Sequence, residues 1–479
     1  MSSQNINIAT IPSSIRKSGF YFEFNTKLAG AGLPSNAQNV VIVAPMTAAG
    51  EAVEKDPLRV FDADEAAVKF GRGSVAHIMA KRAFIQNPNI NLSICGLDDA
   101  SGSSKAAGTL TLTGTATKDG ILTAYVGIER FQVSILKGEG FAAVTAKMKT
   151  AFATDSDLGV VITEAAGVIT LTAKNAGTLG KQINFETTQT DGDGILSTFT
   201  PMTGGAVDAD VQDALDAIFG AHFHLLLSPY NTSADLVKIK NHFIAVSAPL
   251  EQRRGHGIAS VTDLTIAAAQ TLAEGVNHQR VLINYITGSR FASYEYTAAV
   301  GAIFAKEEDP AMPLKTLPIL QADTPTIGDR LSRTEQESLL ASGLTPLEVE
   351  GGEVVRIVRA RTTYSKNDSG IKDETLSDFT IQRVLDFHAY ANLVRMSSVF
   401  GRSKLTARTP DAVRDQLIDV ARSLEALEIL TNVDDYLDYF VVEKDIQDFT
   451  RLDARVPSPI VVGFHVLAVS QELYFPSFS

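Results

Sequence analysis

Strand and helix alternate along this chain, stop doing so, and resume about a hundred residues later. Residues 40–44, VVIVA, form the continuous apolar run of a strand covered on both faces. Helical periodicity follows over 62–70 and 74–85, and a second buried strand over 90–95. The pattern returns with helices at 208–219, 236–243, 264–274 and 292–306, separated by strands at 223–227, 258–261 and 281–286. Strands separated by helices predict a doubly wound, largely parallel sheet. The stretch between, 101–205, is rich in Thr, Gly and Ala. It carries short alternating runs at 109–113, 121–126, 131–136, 160–163, 168–173 and 182–187, and only 141–154 reads as helix. Short strands closely spaced predict an antiparallel sandwich or barrel. Because the α/β pattern breaks before it and restarts after it, this is an inserted domain. A separate small core implies that it is removable.

Both ends depart from the pattern. Phe20, Phe22 and Phe24 alternate with Tyr21, Glu23 and Asn25, as in a half-buried strand, and LAGAGLPSN follows as a flexible joint. That strand belongs to the chain's own sheet or to a neighbour's. After the last α/β helix, Pro310, Pro313, Pro318 and Pro325 preclude helix or central strand and predict an extended surface connection over 309–329. Ser332 and Glu335 form a capping box for a helix bearing Leu339 and Leu340, and Gly343 sits where its C-cap belongs. Two β-prone runs, 347–350 and 353–362, are split by Gly351-Gly352, a two-residue hairpin turn. Amphipathic helices follow at 376–400 and from Thr409-Pro410. Strands are expected at 437–443 and 460–469, with strand character continuing through Leu473 to Phe475.

Composition narrows the chemistry. A net charge of −13 argues against phosphate-backbone binding, so no nucleic-acid partner is expected. No apolar run reaches the roughly 18 residues of a membrane span, and the N-terminus shows no secretory h-region. Cys95, the single cysteine, lies in an apolar run and reads as a buried, inert thiol. Gly71-Arg72-Gly73-Ser74-Val75-Ala76 matches GxGxxA, but helix rather than strand precedes it, so a helix-to-helix turn capped by Ser74 is the better reading. His222 and His224 share one face of a strand without a third metal ligand, and Asp191 and Asp193 lack EF-hand spacing. Neither a cofactor nor a metal is expected. Arg356, Arg359 and Arg361 crowd one hairpin strand, either as a solvated, internally paired face or as a contact for an acidic partner.

The block from 331 to 364, LSRTEQESLLASGLTPLEVEGGEVVRIVRARTTY, resembles the C-terminal domain of contractile phage tail sheath proteins. That family's signature runs "Leu-Leu, Gly-Ile, variable, Gly, strand, Arg-Ala-x-Thr-Thr-Tyr". Arg359, Thr362, Thr363 and Tyr364 fall on it, whereas Arg361 stands where an aliphatic residue is usual. The ends of the insertion and the proline-rich exit are similar to the family's as well, and Mu-type phages give the nearest likeness. The resemblance implies a multi-domain α/β fold. An arm occupies 1–36, and a non-catalytic subtilisin-like α/β domain 37–97 and 206–325. The inserted β-sandwich or barrel occupies 98–205, an α+β C-terminal domain 326–470, and a terminal arm 471–479. A subtilisin-like fold raises the question of a triad, but His256 has no Gly-Thr-Ser-x-Ala nucleophile segment to serve, and Ser289 and Ser293 lack it. No catalytic residue is expected.

The same resemblance implies stacked hexameric rings around a tail tube, with baseplate and tail terminator proteins as further partners. Assembly would take place in the host cytoplasm, and the mature location would be the virion. An intersubunit sheet would draw on Phe20, Phe22, Phe24, Leu467, Val469, Leu473 and Phe475, and the three arginines would face the tube or a neighbour. The sheath of an R-type bacteriocin or secretion machine is the alternative, and an α/β hydrolase-like enzyme the more distant one.

Overall fold

A computed structural model describes residues 16–18 and 33–473. The chain enters its main sheet through β1 (Asn39–Pro45), buried along almost its whole length, then β2 (Pro57–Val60). Helices α1 (Ala63–Phe70) and α2 (Val75–Gln86) follow, and then β3 (Asn91–Leu97). The insertion contributes β4 (Ser104–Gly114), β5 (Gly120–Val126), β6 (Glu129–Ile135), α3 (Phe141–Phe152), β7 (Val160–Ala165), β8 (Val168–Ala173), β9 (Phe185–Asp191) and β10 (Ile195–Ala206). Its strands form two antiparallel sheets, ordered β10-β4-β8-β7 and β6-β5-β9. They share with α3 one core built on Leu110, Leu122, Phe131, Phe152, Leu171 and Phe185.

The α/β alternation resumes with α4 (Val211–Ile218), β11 (Leu225–Leu227), α5 (Ser233–Val246), β12 (His256–Val261), α6 (Ile266–Val276), β13 (Val281–Tyr285) and α7 (Ser293–Lys306). It continues through α8 (Arg333–Ala341), β14 (Thr345–Glu350) and β15 (Val354–Ile357). The sheet runs β15-β14-β13-β12-β11-β1-β3-β2, with six parallel strands flanked by one antiparallel strand at each end. Helices α1, α2 and α7 pack together in one layer, and α4, α5, α6 and α8 in another. Two helical layers on one parallel sheet bury both faces, which is why its strands read as unbroken apolar runs.

The signature hairpin is therefore the edge of this sheet. The domain start expected at 326 falls inside a unit that spans residues 36–386. The link is short: Asn284 pairs with Thr345 and Tyr285 with Pro346. The hairpin turn has three residues, Gly351, Gly352 and Glu353, rather than two, because Glu350 pairs directly with Val354. Gly352 and Glu353 carry positive φ angles, +89° and +58°, and the left-handed residue that closes a three-residue loop falls on Glu353. The proline-rich exit then covers the outer edge of β15. Thr316 N and Ile319 N donate to Ile357 O and Val355 O, while Ile357 N and Ala360 N donate to Leu317 O and Leu314 O. Pro313 and Pro318 within that segment cannot extend a ladder outward, so the sheet ends there.

Residues 387–461 form a second unit. It contains most of α9 (Phe379–Phe400), then α10 (Thr409–Glu425), β16 (Val441–Lys444) and β17 (Leu452–Arg455). The strand expected at 437–443 begins only at Val441, after a 3-10 segment, Val433–Tyr439. Arg414 explains the difference, since it donates to Leu437 O and Phe440 O and so withdraws those carbonyls from any ladder. The strand expected at 460–469 does not form either. Ile460 bridges Leu430, and residues 462–473 run on without a ladder.

Candidate functional site

The signature builds a joint rather than a catalytic centre. Ser332 Oγ accepts from Glu335 N (3.3 Å), and the Glu335 carboxylate accepts from Ser332 N (2.8 Å), closing the capping box that starts α8. Gly343 ends the helix region at φ +82°, and a Cβ there would lie 2.8 Å from the Thr363 backbone. Glycine is thus required twice, for its dihedral and for the close approach of the Thr-Thr strand. Thr362 and Thr363 are fully buried. Thr363 N donates to Val281 O (2.8 Å) and its hydroxyl to His278 O (3.0 Å), while Thr345 Oγ1 accepts from Arg361 N (2.9 Å). The threonines peg the chain to the starts of β13 and β14.

The three arginines do not form one face. Arg356 pairs with Glu350 (2.9 Å) and donates to Thr316 O (2.7 Å). Arg359 grips Asp378 through Nη2 (2.8 Å) and Nε (3.1 Å). Arg361 is only 6% exposed, and burial, then the Arg359 charge, pushes its guanidinium below the usual arginine range. Asp378 is held below the ordinary carboxylate range; burial opposes its ionisation, but Thr380 and Arg359 outweigh that effect. Sequence reading missed Asp378 because nothing in its spacing ties it to Arg359.

Of the expected intersubunit residues, Phe20, Phe22, Phe24 and Phe475 lie outside the described residues. Leu467, Val469 and Leu473 are 72–77% exposed in an extended segment, along with Val462, Phe464 and Val466. The start of that segment meets the body through residues 463–465. His465 Nε2 lies 3.1 Å from Asp378 Oδ2, and Lys315 Nζ donates to Phe464 O. In the second unit, β16 and β17 form a sheet of two strands, and among the described residues neither outer edge carries a ladder. A lone hairpin is marginal in water, and its edges are ready acceptors for further strands.

The enzyme-like candidates are not brought together. His256 begins β12, at the level of Arg280 just before β13, whereas Ser289 lies beyond the other end of β13. Roughly five residues at about 3.3 Å each separate the two levels, far outside hydrogen-bond reach. Ser289 Oγ instead meets Tyr296 Oη (2.8 Å), and Ser293 donates to Gln182 Oε1 (2.6 Å). His256 is 3.9 Å from Asp386, which already takes a two-pronged contact from Arg280, and burial pushes its imidazole well below the usual range. The His222 and His224 rings stack at 4.4 Å, but Asn39 N donates to His224 Nδ1 and His222 Nε2 meets Arg254 O. Among the described residues no group of three or more His, Cys, Asp or Glu could hold a metal ion. Ser74 caps α2 by accepting from His77 N, which disposes of the dinucleotide reading, and burial pushes the Cys95 thiol up to about 12.

Four insertion residues that carry no motif matter to the body. Asn175 Oδ1 accepts from Val75 N (2.9 Å), the first amide of α2, and Asn175 Nδ2 donates to Met46 O (2.7 Å). Gln182 Oε1 accepts from Ser293 N (3.2 Å), the first amide of α7. Leu179 packs into the core of the α/β sheet, and Asp157 bridges Arg72 (2.6 Å) and Lys81 (2.7 Å). The insertion is therefore not the detachable ornament that its composition implies.

Residues 204–363 match the family model of the phage tail sheath protein central domain. The match ends on the second threonine of the signature and takes in the hairpin together with the second half of the α/β sheet. Over 481 aligned residues the chain is 26% identical to the Mu-like prophage FluMu tail sheath protein of Haemophilus influenzae, covering 97% of this chain and 98% of that one. Both matches, one over the second half of the sheet and one over nearly the whole chain, are to phage tail sheath proteins. The sheath tail protein of Desulfitobacterium hafniense shares its fold at a TM-score of 0.50 and 14% identity, covering 89% of this chain and 94% of that one. A chain of the anti-feeding prophage baseplate does so at 0.51 and 9% identity, covering 96% and 100%. The family model and the Haemophilus and Desulfitobacterium relatives are all described as tail sheath proteins.

Proposed function

We propose that the chain is the sheath subunit of a contractile tail. It polymerises as stacked hexameric rings around a tail tube and contracts to drive the tube through a host envelope. The body would be the subtilisin-like α/β scaffold with the insertion outside and the C-terminal unit toward the tube. Baseplate and tail terminator proteins are the further partners, assembly occurs in the host cytoplasm, and the finished sheath belongs to the virion. The observation that supports this best is the segment 462–473, which alternates between exposed and half-buried positions as far as Val466 and turns Val462, Phe464, Val466, Leu467, Val469 and Leu473 to solvent. Such a segment suits addition to a neighbour's sheet edge, and the two-stranded β16–β17 sheet has edges to offer. Repeated head to tail, strand addition builds an open array rather than a closed dimer. About six backbone bonds at roughly 0.5–1.5 kcal/mol each would supply on the order of 3–9 kcal/mol per donated strand.

In the same proposal the segment around Phe20, Phe22 and Phe24 adds to the neighbour's C-terminal sheet. Arg356, half-buried beside Glu350, is the arginine left best able to reach a partner. Contraction is then a rigid-body change between two packings joined by surviving strand links. Negative-stain microscopy of the purified full chain tests the reading. Tubes or striated sheaths are expected, and a compact monomer at every concentration would end it. A related injection machine is the second reading, separated from a phage by whether the purified particles contain packaged DNA.

A further inference from the structure

We infer that residues 463–465 clamp the C-terminal arm to its own α/β unit, and that Arg359 of the signature is the residue that positions the clamp. The inference rests on the proposal that this arm is donated to a neighbour. Three consecutive residues each make one fixed contact. At Gly463 an added Cβ would lie 2.8 Å from Pro313 Cγ and 2.9 Å from the His465 ring, so the segment lies directly against the proline-rich exit. Phe464 O accepts from Lys315 Nζ, and the same ammonium lies 5.5 Å from the centroid of the Phe464 ring. His465 Nε2 reaches Asp378 Oδ2 at 3.1 Å.

Asp378 is well prepared for that contact. Its Oδ2 accepts from Arg359 Nη2 and Nε, and its Oδ1 accepts from Thr380 N (3.0 Å) and Thr380 Oγ1 (2.5 Å). Four donors hold the carboxylate in one orientation, and His465 meets Oδ2 there as a further contact shared with Arg359. The clamp also sets the rotational phase of the arm. Gly463 and His465 face inward, while Val462, Phe464 and Val466 face out and are 67–80% exposed. A strand alternates faces with period two, so fixing 463 and 465 leaves Val462, Phe464 and Val466 as the face turned outward, whereas beyond Val466 both faces are exposed. Tension on a donated arm would pass from His465 through Asp378 to Arg359, beside the hairpin edge of the parallel sheet, and to Thr380 at the start of α9.

The test uses the full chain kept dilute enough to run as a monomer, with Leu467→Cys carrying a nitroxide; the native Cys95 is buried and does not compete. His465→Ala, Arg359→Ala and Gly463→Ala are each expected to shorten the label's rotational correlation time several-fold without moving the melting transition of the body. His465→Gln, which keeps a side-chain donor, should recover most of the immobilisation. Equal mobility in the parent and in His465→Ala overturns the clamp and leaves strand donation standing. Deleting residues 466–479 removes the donated strand but not the clamp, and normal polymerisation of that deletion would overturn donation alone. If His465→Ala frees the label yet gives sheaths of normal length that contract normally, the clamp has no part in assembly.

Discussion

Asn175→Ala is the perturbation whose consequence can be worked most fully from the structure. The residue belongs to the insertion but is buried against the α/β body, where its amide joins two elements that it does not belong to. Truncation strips the acceptor from Val75 N and the donor from Met46 O, and Val75 and Met46 are both buried. Each orphaned buried group costs about 1–3 kcal/mol, so a loss of roughly 2–5 kcal/mol is expected, allowing for partial relaxation. That is a large share of a total folding stability of about 5–15 kcal/mol. Gln182→Ala, which uncaps α7 at a half-buried site, should cost about 1–2 kcal/mol. Urea denaturation followed by both fluorescence and circular dichroism is the assay. The body and the insertion should lose stability together. A change under about 0.5 kcal/mol, or an insertion that unfolds in its own unshifted transition, would refute the claim that the insertion caps the helices of the body.

Gly343→Ala forces a positive-φ position and drives a Cβ onto the Thr363 backbone, so a loss of at least about 1–3 kcal/mol is expected; an unchanged melting temperature would contradict the joint described for the signature. Acid should weaken the fold well above the carboxylate range. Burial lowers His77, His224, His242 and His278 to about 4, whereas the unfolded chain takes up these protons near 6.5. Stability is thus complete above about pH 6.5 and falls as pH drops toward 4, at about 1.4 kcal/mol per unit of depression for each histidine. Melting temperatures that stay level from pH 7 to 4.5 would show that these imidazoles are not buried neutral.

What the sequence reveals follows from the range of the forces involved. The alternation of β1, α2, β11, α5, β12 and α7 is local periodicity, and it reads directly. β2 escapes notice because PLRV is four residues long, opens with proline and buries only Val60 completely. The hairpin of the signature is legible as a hairpin. Its place in the parallel sheet is not, since only two residue pairs attach it to β13. Three arginines close together suggest a cationic surface until Glu350 and Asp378 are seen beside them. Arg414 likewise overrides the strand propensity around Leu437 through bonds made more than twenty residues away. Side chains such as Asn175 and His465 act singly at long sequence separation and leave no pattern to read.

The central claim is that this chain builds a polymer by donating its ends, and a reconstruction of the assembled particle by cryo-electron microscopy tests it most directly. The segment beyond Val466 should run from one subunit to a neighbour and pair as a strand on an open edge of the β16–β17 sheet. A particle in which that segment folds back onto its own subunit, with neighbours joined only through their globular faces, would contradict the account.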